Sequence, residues 1–162
     1  MIGKKNVTKD EIEEDTCKGR TKILIQFIRD ALDNWKDQNK GQVPKQIVIY
    51  RDGVGGPSFQ EKCLKLEGPG GELMEAIKGY APNYDPKILY VFINKRITTR
   101  FFEKFGNGLI NPGPGTLVDS TIVQQDGDKI FDFYMVANDN PTSATAIPVH
   151  YEVAINTTNI SK

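Results

Sequence analysis

The chain has few of the residues that build zinc sites or disulfide frameworks. Its 162 residues include only two cysteines, Cys17 and Cys63, and a single histidine, His150. A structural zinc site usually takes four Cys or His ligands, so this composition argues strongly against one. The cysteines lack CxxC spacing and suit reduced thiols of a cytoplasmic or nuclear protein, with one disulfide in a secreted protein as the alternative. The composition does not exclude a magnesium site built from carboxylates.

The chain also lacks long apolar runs and net charge. No stretch approaches the roughly 20 apolar residues of a membrane span, and the polar opening MIGKKNVTKDEIEED has no signal-peptide core. Lys and Arg number 21, and Asp and Glu also number 21. Free-standing non-specific nucleic-acid binders are usually more basic, because phosphate neutralisation supplies most of their affinity. Any nucleic-acid site must therefore be a local cluster of positive charge.

The pattern of apolar residues predicts a mixed α/β domain. Residues 1–20 are interpreted as a flexible lead-in, and apolar spacing of three and four predicts an amphipathic helix over 21–38. The continuous runs IVIY (47–50) and ILYVFI (88–93) indicate strands buried on both faces. Helices predicted at 58–66 and 71–80 separate them, which is the order of a parallel crossover unit.

The second half predicts strands instead of helices. Strand-like runs occupy 116–123, 130–137 and 149–155. The stretch QDGD (125–128) indicates a hairpin turn between the first two, and the polar segment NDNPTSATAIP joins the last two. The expected architecture is one mixed sheet with helices, in a single domain over residues 21–162.

Asp52 is the first residue that could carry chemistry. It follows the IVIY strand, at the edge where open α/β sheets bind ligands, and Gly53 allows a ligand to approach the backbone closely. The ordinary alternative is an aspartate that initiates a turn, and this signal alone favours that alternative.

The segment NKRITTRFF, at the end of the ILYVFI strand, is the second candidate. It carries Lys95, Arg96, Thr99 and Arg100, and Lys104 follows. Arg, Lys and hydroxyl groups can hold phosphate oxygens, although a solvated strand end would look the same. The glycine-rich stretches match no phosphate-binding loop. His150 has no nucleophile motif near it, so a satisfied histidine at a strand start is its simplest interpretation.

Together these segments resemble the PIWI domain of the Argonaute/Piwi family, and they look most like the Piwi branch, particularly ciliate members. The resemblance rests on five segments in the family's order: IVIYRDGVG, FINKRITTRFF, PGPGTLVD, FDFYMV and PVHYEV. It implies a ribonuclease H-like α/β fold, a mixed sheet flanked by helices that is incomplete at both ends of this chain. It also implies small-RNA-guided silencing in the cytoplasm, the nucleus or both, without a membrane.

The resemblance also assigns roles to particular residues. Asp52 matches the second aspartate of a catalytic tetrad that binds two Mg²⁺ ions. The implied contacts to the guide-RNA backbone are Lys95, Arg96, Thr99, Arg100, Thr145, His150 and Tyr151. The implied partners are a small guide RNA, its complementary target RNA, and the missing PIWI and MID segments of a parent chain.

The departures from the family pattern bear on catalysis. The tetrad's first aspartate and its histidine would lie outside this chain, and no acid stands near Lys18 to Arg20, where its glutamate should fall. Glu11, Glu13 and Glu14 align poorly with that position. We therefore expect backbone binding without cleavage by this chain. The alternative is a slicing endoribonuclease in the intact protein, with Asp52 and Mg²⁺, and a third possibility is an unrelated α/β nucleotide-binding or interaction protein.

Overall fold

A computed structural model of the chain describes residues 8–123, 125–126, 130–137 and 144–158. It divides into two compact units, a helical unit (Met1–Ile47 with Val54–Lys87) and a sheet unit (Val48–Gly53 with Ile88–Lys162). The elements are α1 (Lys9–Gln38), β1 (Gln46–Asp52), α2 (Pro57–Glu67), α3 (Glu72–Lys78), β2 (Lys87–Asn94), β3 (Glu103–Phe105), β4 (Gly108–Ile110), β5 (Leu117–Val118), β6 (Gln125–Asp126), β7 (Ile130–Met135) and β8 (Val149–Asn156). Among the described residues, no helix combines the length and apolar character that crossing a membrane would need.

Helix α1 begins twelve residues before the start that its apolar spacing predicts, at Lys9 instead of residue 21. Thr8 forms a capping box with Glu11: its side chain accepts from the Glu11 backbone N–H, and its own N–H donates to the Glu11 carboxylate at 2.9 Å. Two of the unpaired N–H donors at the start of the helix are thereby satisfied. The interpretation of this region as a flexible lead-in is therefore wrong from Lys9 onward. The first turns carry acids instead of apolar residues, so periodicity did not reveal them.

In the helical unit, two contacts that lie one turn apart join α1 to α2. Cys17 and Cys63 form a disulfide, with their Cα atoms 5.4 Å apart. One turn further along each helix, the Thr21 hydroxyl donates to the Glu67 carboxylate at 2.9 Å, and all four side chains are fully buried. The expectation of two reduced thiols is wrong for this structure. Spacing in the sequence could not reveal the pairing, because helix packing brings the two cysteines together.

The sheet has the strand order β1-β2-β8-β7-β5, with β6 also paired to β7. Strand β8 is antiparallel to both β2 and β7, and it supplies buried Val153 beside buried Val91 of β2. Strands β3 and β4 form a separate antiparallel hairpin that the apolar pattern did not predict. Strands β1, β2, β7 and β8 and helices α2 and α3 confirm the predicted elements within a few residues.

Two strand predictions need correction. Strand β1 is not buried on both faces, because Val48 is 44% exposed and Tyr50 is 63% exposed at the edge of the described sheet. Of the strand predicted over 116–123, only Leu117–Val118 forms. Thr121 has a φ of +67°, a conformation that a β-branched residue rarely adopts and that a strand cannot contain. The predicted turn at 125–128 also begins too early, since β6 occupies Gln125–Asp126; the rest of that turn lies outside the described residues.

The disulfide generates a stability prediction. Replacing Cys17 and Cys63 together with Ser should lower the free energy of unfolding by about 3–4 kcal/mol, because the unfolded chain regains the entropy of a long open loop. Chemical denaturation of the oxidised chain, with and without a reductant, measures this loss. The reductant should produce the same loss in the unsubstituted chain and none in the double-Ser variant. Two titratable thiols in the folded, unreduced chain would contradict the pairing.

Candidate nucleic-acid interface

Strand register brings most of the predicted contact residues to one end of the sheet. Asn94, at the end of β2, lies opposite His150 near the start of β8, and Met135, at the end of β7, lies opposite Val149. Because β8 runs antiparallel to both neighbours, the segments before β8 and after β2 emerge at this same end. We call it the sheet end, made of residues 94–101, 134–136 and 144–151.

Asp52 joins the sheet end through an ion pair with Lys95. The Lys95 ammonium donates to Asp52 Oδ2 at 2.5 Å, and the Gly53 backbone N–H donates to Asp52 Oδ1 at 2.7 Å. The Asp52 side chain is 51% exposed and that of Lys95 61% exposed. The hydrogen bond from Lys95 holds the pKa of Asp52 below its ordinary value, with a smaller contribution from the Gly53 N–H. The same hydrogen bond raises the pKa of Lys95, so both groups are charged at neutral pH.

The two arginines beyond Lys95 have different surroundings. Arg96 is exposed. Arg100 is half-buried, and its Nη1 donates to the carbonyl oxygens of Ile97 and Thr99 at 2.8 and 2.7 Å. Arg100 therefore folds the loop around its own guanidinium and places the half-buried Thr99 within it. The sequence pattern treated the two arginines alike, but of these two Arg96 is the one at an exposed position.

His150 and Tyr151 point to opposite faces of the sheet, as successive residues of a strand must. The imidazole of His150 stacks on Tyr134 with ring centroids 4.3 Å apart. The Tyr151 ring stacks on Phe133 with centroids 4.8 Å apart. Burial raises the pKa of Tyr151, and the positive charge of Lys95 offsets part of that rise. Tyr151 therefore lies within electrostatic reach of Lys95, whereas the side chain of His150 lies on the other face of the sheet.

The segment after β2 connects the two faces. It begins at Lys95, whose charge acts on Tyr151, and it ends at Phe101, whose ring meets Tyr134 edge-on with centroids 5.4 Å apart. Since Tyr134 lies beside His150, this segment crosses the end of the strands. The predicted residues on opposite faces are thus joined by one basic loop.

Thr145 lies in a segment that a residue outside the predicted site holds in place. The Asn111 side-chain amide donates to the Ala144 carbonyl at 2.7 Å, and its oxygen accepts from the Ala146 N–H at 3.0 Å. These two bonds bracket Thr145, which is exposed. In the sequence Asn111 stands directly before Pro112, and nothing in its local context indicates a partner 33 residues away.

His150 also matches its ordinary interpretation, a satisfied histidine near a strand start. Its Nε2 lies 2.6 Å from Oδ2 of Asp132. The two side chains are 15% and 10% exposed, respectively. Sequence reasoning did not single out Asp132, because an acid within the run FDFYMV resembles any alternating strand residue.

The described residues do not fit a two-magnesium site. No group of three or more His, Cys, Asp or Glu side chains that could hold a metal occurs in the ranges that the structure covers. The carboxylate of Asp52 is already bonded to an ammonium group and a backbone N–H. Two divalent ions close together need several anionic ligands to offset their repulsion. Of the upstream acids, Glu11 caps α1, Glu13 pairs with Lys62 and Glu14 with Lys18.

The family follows from comparison with known proteins. The family model described as "Piwi domain" matches residues 5–162. The chain belongs to this family. The Piwi-like protein Ago3 of Bombyx mori is 41% identical over 82% of this chain and 13% of its own length. The crystal structure of Drosophila Piwi is 31% identical, covers 85% of this chain and 18% of its own, and superposes with a TM-score of 0.65.

The Piwi-domain comparisons also confirm the fold. Clostridium butyricum Argonaute, solved with a guide DNA and a 19-mer target DNA, is 19% identical and has a TM-score of 0.51 over 86% of this chain and 16% of its own. That likeness concerns the fold alone. The ribonuclease H-like α/β fold predicted from the resemblance is confirmed. The chain spans 13–14% of the length of curated relatives such as the Bombyx mori protein and two Piwi-like proteins of vertebrates.

The Asp52–Lys95 pair generates a titration prediction. Asp52→Asn should lower the pKa of Lys95 toward its ordinary value, because the carboxylate that stabilises the ammonium is lost. NMR of the lysine side-chain nuclei measures this, and Lys18, whose pKa is raised by Glu14, is the internal control. The pKa of Asp52 is depressed in the folded state. The pair therefore stabilises the fold at pH values above 3.8, the ordinary pKa of an Asp side chain. This stabilisation is lost as the pH falls through the lowered pKa of Asp52.

Both side chains of the pair are about half exposed, so solvent screens their attraction and the stabilisation should be small. An unchanged pKa of Lys95 in Asp52→Asn would show that the pair does not form in solution.

Proposed function

We propose that this chain is part of a small-RNA-guided silencing protein, and that its sheet end contacts the sugar–phosphate backbone of a guide RNA paired with its target RNA. One observation carries the proposal. Basic, hydroxyl and aromatic side chains that are distant in the sequence converge at the sheet end, through the pairing of β8 with β2 and β7. Phosphate contacts of this kind position a nucleic acid without reading its sequence.

The charge distribution supports backbone binding. The whole chain has no net charge, so affinity for RNA must come from a local cluster. Asp52 offsets the charge of Lys95, and Arg96 and Arg100 follow within five residues of Lys95. The hydroxyls of Thr99 and Thr145 add neutral donors, as is common at phosphate sites.

The geometry favours a nucleic acid that crosses the sheet end instead of lying on one face. His150 and Tyr151 occupy opposite faces and cannot both line a flat surface. The loop from Lys95 to Phe101 passes from one face to the other, and Thr145 lies in the segment that leads into β8. A strand of RNA that follows this loop would meet Lys95 and Tyr151 first and His150 last.

The relatives support the class of ligand. Clostridium butyricum Argonaute was solved with guide and target DNA, and the sequence relatives of this chain include Piwi-like proteins. Because this chain spans a small part of those relatives, the guide RNA, the target RNA and the remaining PIWI and MID segments are proposed as partners of the whole protein. We propose the cytoplasm, the nucleus or both as its location; thiols are mostly reduced there, so the Cys17–Cys63 bond would be exposed to reduction.

Cleavage of RNA is proposed only for the whole protein and not for this chain by itself. The observation that favours it is the position of Asp52, a partly exposed carboxylate at the end of β1 with a pKa below the ordinary value. The described residues offer no metal cluster around it. For the chain by itself, binding without cleavage is the function that its geometry supports.

Arg96 provides the direct test. Arg96→Ala should weaken binding of short RNAs of different sequence by a similar factor, because a phosphate contact carries no base information. The slope of log affinity against log salt should fall by about 0.7–0.9, the contribution of one phosphate. Fluorescence anisotropy across a salt series measures both quantities.

Lys65→Ala is the matched control. It removes one positive charge from an exposed position on α2, outside the sheet unit. It should leave both the affinity and the salt slope unchanged. An equal loss for Lys65→Ala, or a loss for Arg96→Ala that depends on the RNA sequence, would count against a phosphate site at the sheet end.

A further inference from the structure

We propose that Asp132 is a positioning residue for RNA binding: its carboxylate accepts a hydrogen bond from Nε2–H of His150 and fixes the imidazole so that the unprotonated Nδ1 is the acceptor for a ribose 2′-hydroxyl of the RNA backbone. The inference rests on the proposed function and adds a residue that neither the sequence pattern nor the family resemblance assigned. The Nε2 to Oδ2 distance is 2.6 Å, and both side chains are largely buried.

The chemistry of the Asp132–His150 pair determines which group donates the hydrogen bond. An ionised carboxylate has no proton to donate, so in this pair the Nε2–H of His150 is the donor. With Nε2 engaged, only Nδ1 is left for another partner. A histidine whose second nitrogen is bonded to a carboxylate has a fixed ring orientation and a fixed tautomer, as is common where histidines act as ligands.

The aromatic neighbours complete the constraint. Tyr134 lies flat against the imidazole, with an angle of 15° between the ring planes, and Phe101 meets Tyr134 edge-on. Stacking holds the plane of the imidazole, and the Asp132 hydrogen bond opposes the ring flip about the Cβ–Cγ bond that would exchange its two edges. Phe101 directly follows Arg100, so this cluster also attaches the basic loop to the face that carries His150.

The other polar groups on this face have a different arrangement. Register places Asn94 opposite His150, and Glu152 between Phe92 and Asp132. The Asn94 amide donates to Glu152 Oε2 at 2.7 Å. Asp132 and Glu152 are therefore two carboxylates in one row across the strands, and the bond to the imidazole is made by Asp132. Substituting Glu152 therefore provides the matched control for substituting Asp132.

The single histidine of the chain makes a direct spectroscopic test possible. Nitrogen-15 NMR of the 162-residue chain should show one imidazole N–H signal, protected from exchange and assigned to Nε2, because His150 is the only source. Asp132→Asn should move this proton upfield or broaden it by exchange, since the bond to a charged acceptor is lost. Glu152→Gln should leave it in place. Absence of the protected signal from the unsubstituted chain would overturn the inference.

A double-mutant cycle on RNA affinity tests the coupling. Asp132→Asn and His150→Ala should each weaken binding about threefold to tenfold, the range expected for one hydrogen bond. The double variant should bind no more weakly than His150→Ala, because Asp132 acts only through the imidazole. Glu152→Gln should bind as the unsubstituted chain does. Additive losses in the double variant would show that Asp132 affects binding by general destabilisation and would overturn the inference.

The outcomes separate this inference from the proposed function. If His150→Ala binds RNA normally while Arg96→Ala binds weakly, the sheet end still binds RNA and the role of Asp132 is wrong. If neither variant changes RNA affinity, the proposed function itself fails.

Discussion

The register of β8 is the constraint on which the candidate interface depends. Antiparallel pairing with β2 on one side and β7 on the other fixes Asn94 opposite His150 and Met135 opposite Val149. A shift of one residue would move every side chain of β8 to the other face. The register therefore determines that His150 meets Asp132 and Tyr134, and that Tyr151 meets Phe133 and the surroundings of Lys95. Buried Val153 holds it in place, because a slip would expose this side chain.

The resulting site is an edge that joins two faces. On one face lies Tyr151, which feels the charge of Lys95 in the exposed Asp52–Lys95 ion pair. On the other, His150 is held by a carboxylate and an aromatic ring. The loop that starts at Lys95 connects the two. A surface that binds a nucleic-acid backbone needs positive charge and hydrogen-bond donors along a path more than it needs a deep pocket. A loop that crosses the ends of strands supplies such a path.

Much of this could be predicted from the sequence, and the failures have physical causes. A continuous apolar run predicted β2 and strand-like runs predicted β7 and β8, because burial imposes a clear pattern. The segments that contain Asp52 and Lys95 predicted the candidate site. Contacts between distant segments were not visible: Cys17 with Cys63, Asn111 with Ala144, and Asp132 with His150 all depend on packing or register. The start of α1 was missed because its first turns carry acids and a capping box instead of an apolar stripe.

The most direct test of the account is to locate bound RNA on the chain by photocrosslinking. A short RNA carrying photoreactive uridines would be irradiated with the chain, and the crosslinked peptides would be identified by mass spectrometry. The account predicts crosslinks concentrated within residues 95–101 and 144–151, with few in α1, α2 or α3. Crosslinks concentrated in the helices, with none at the end of the sheet, would contradict it.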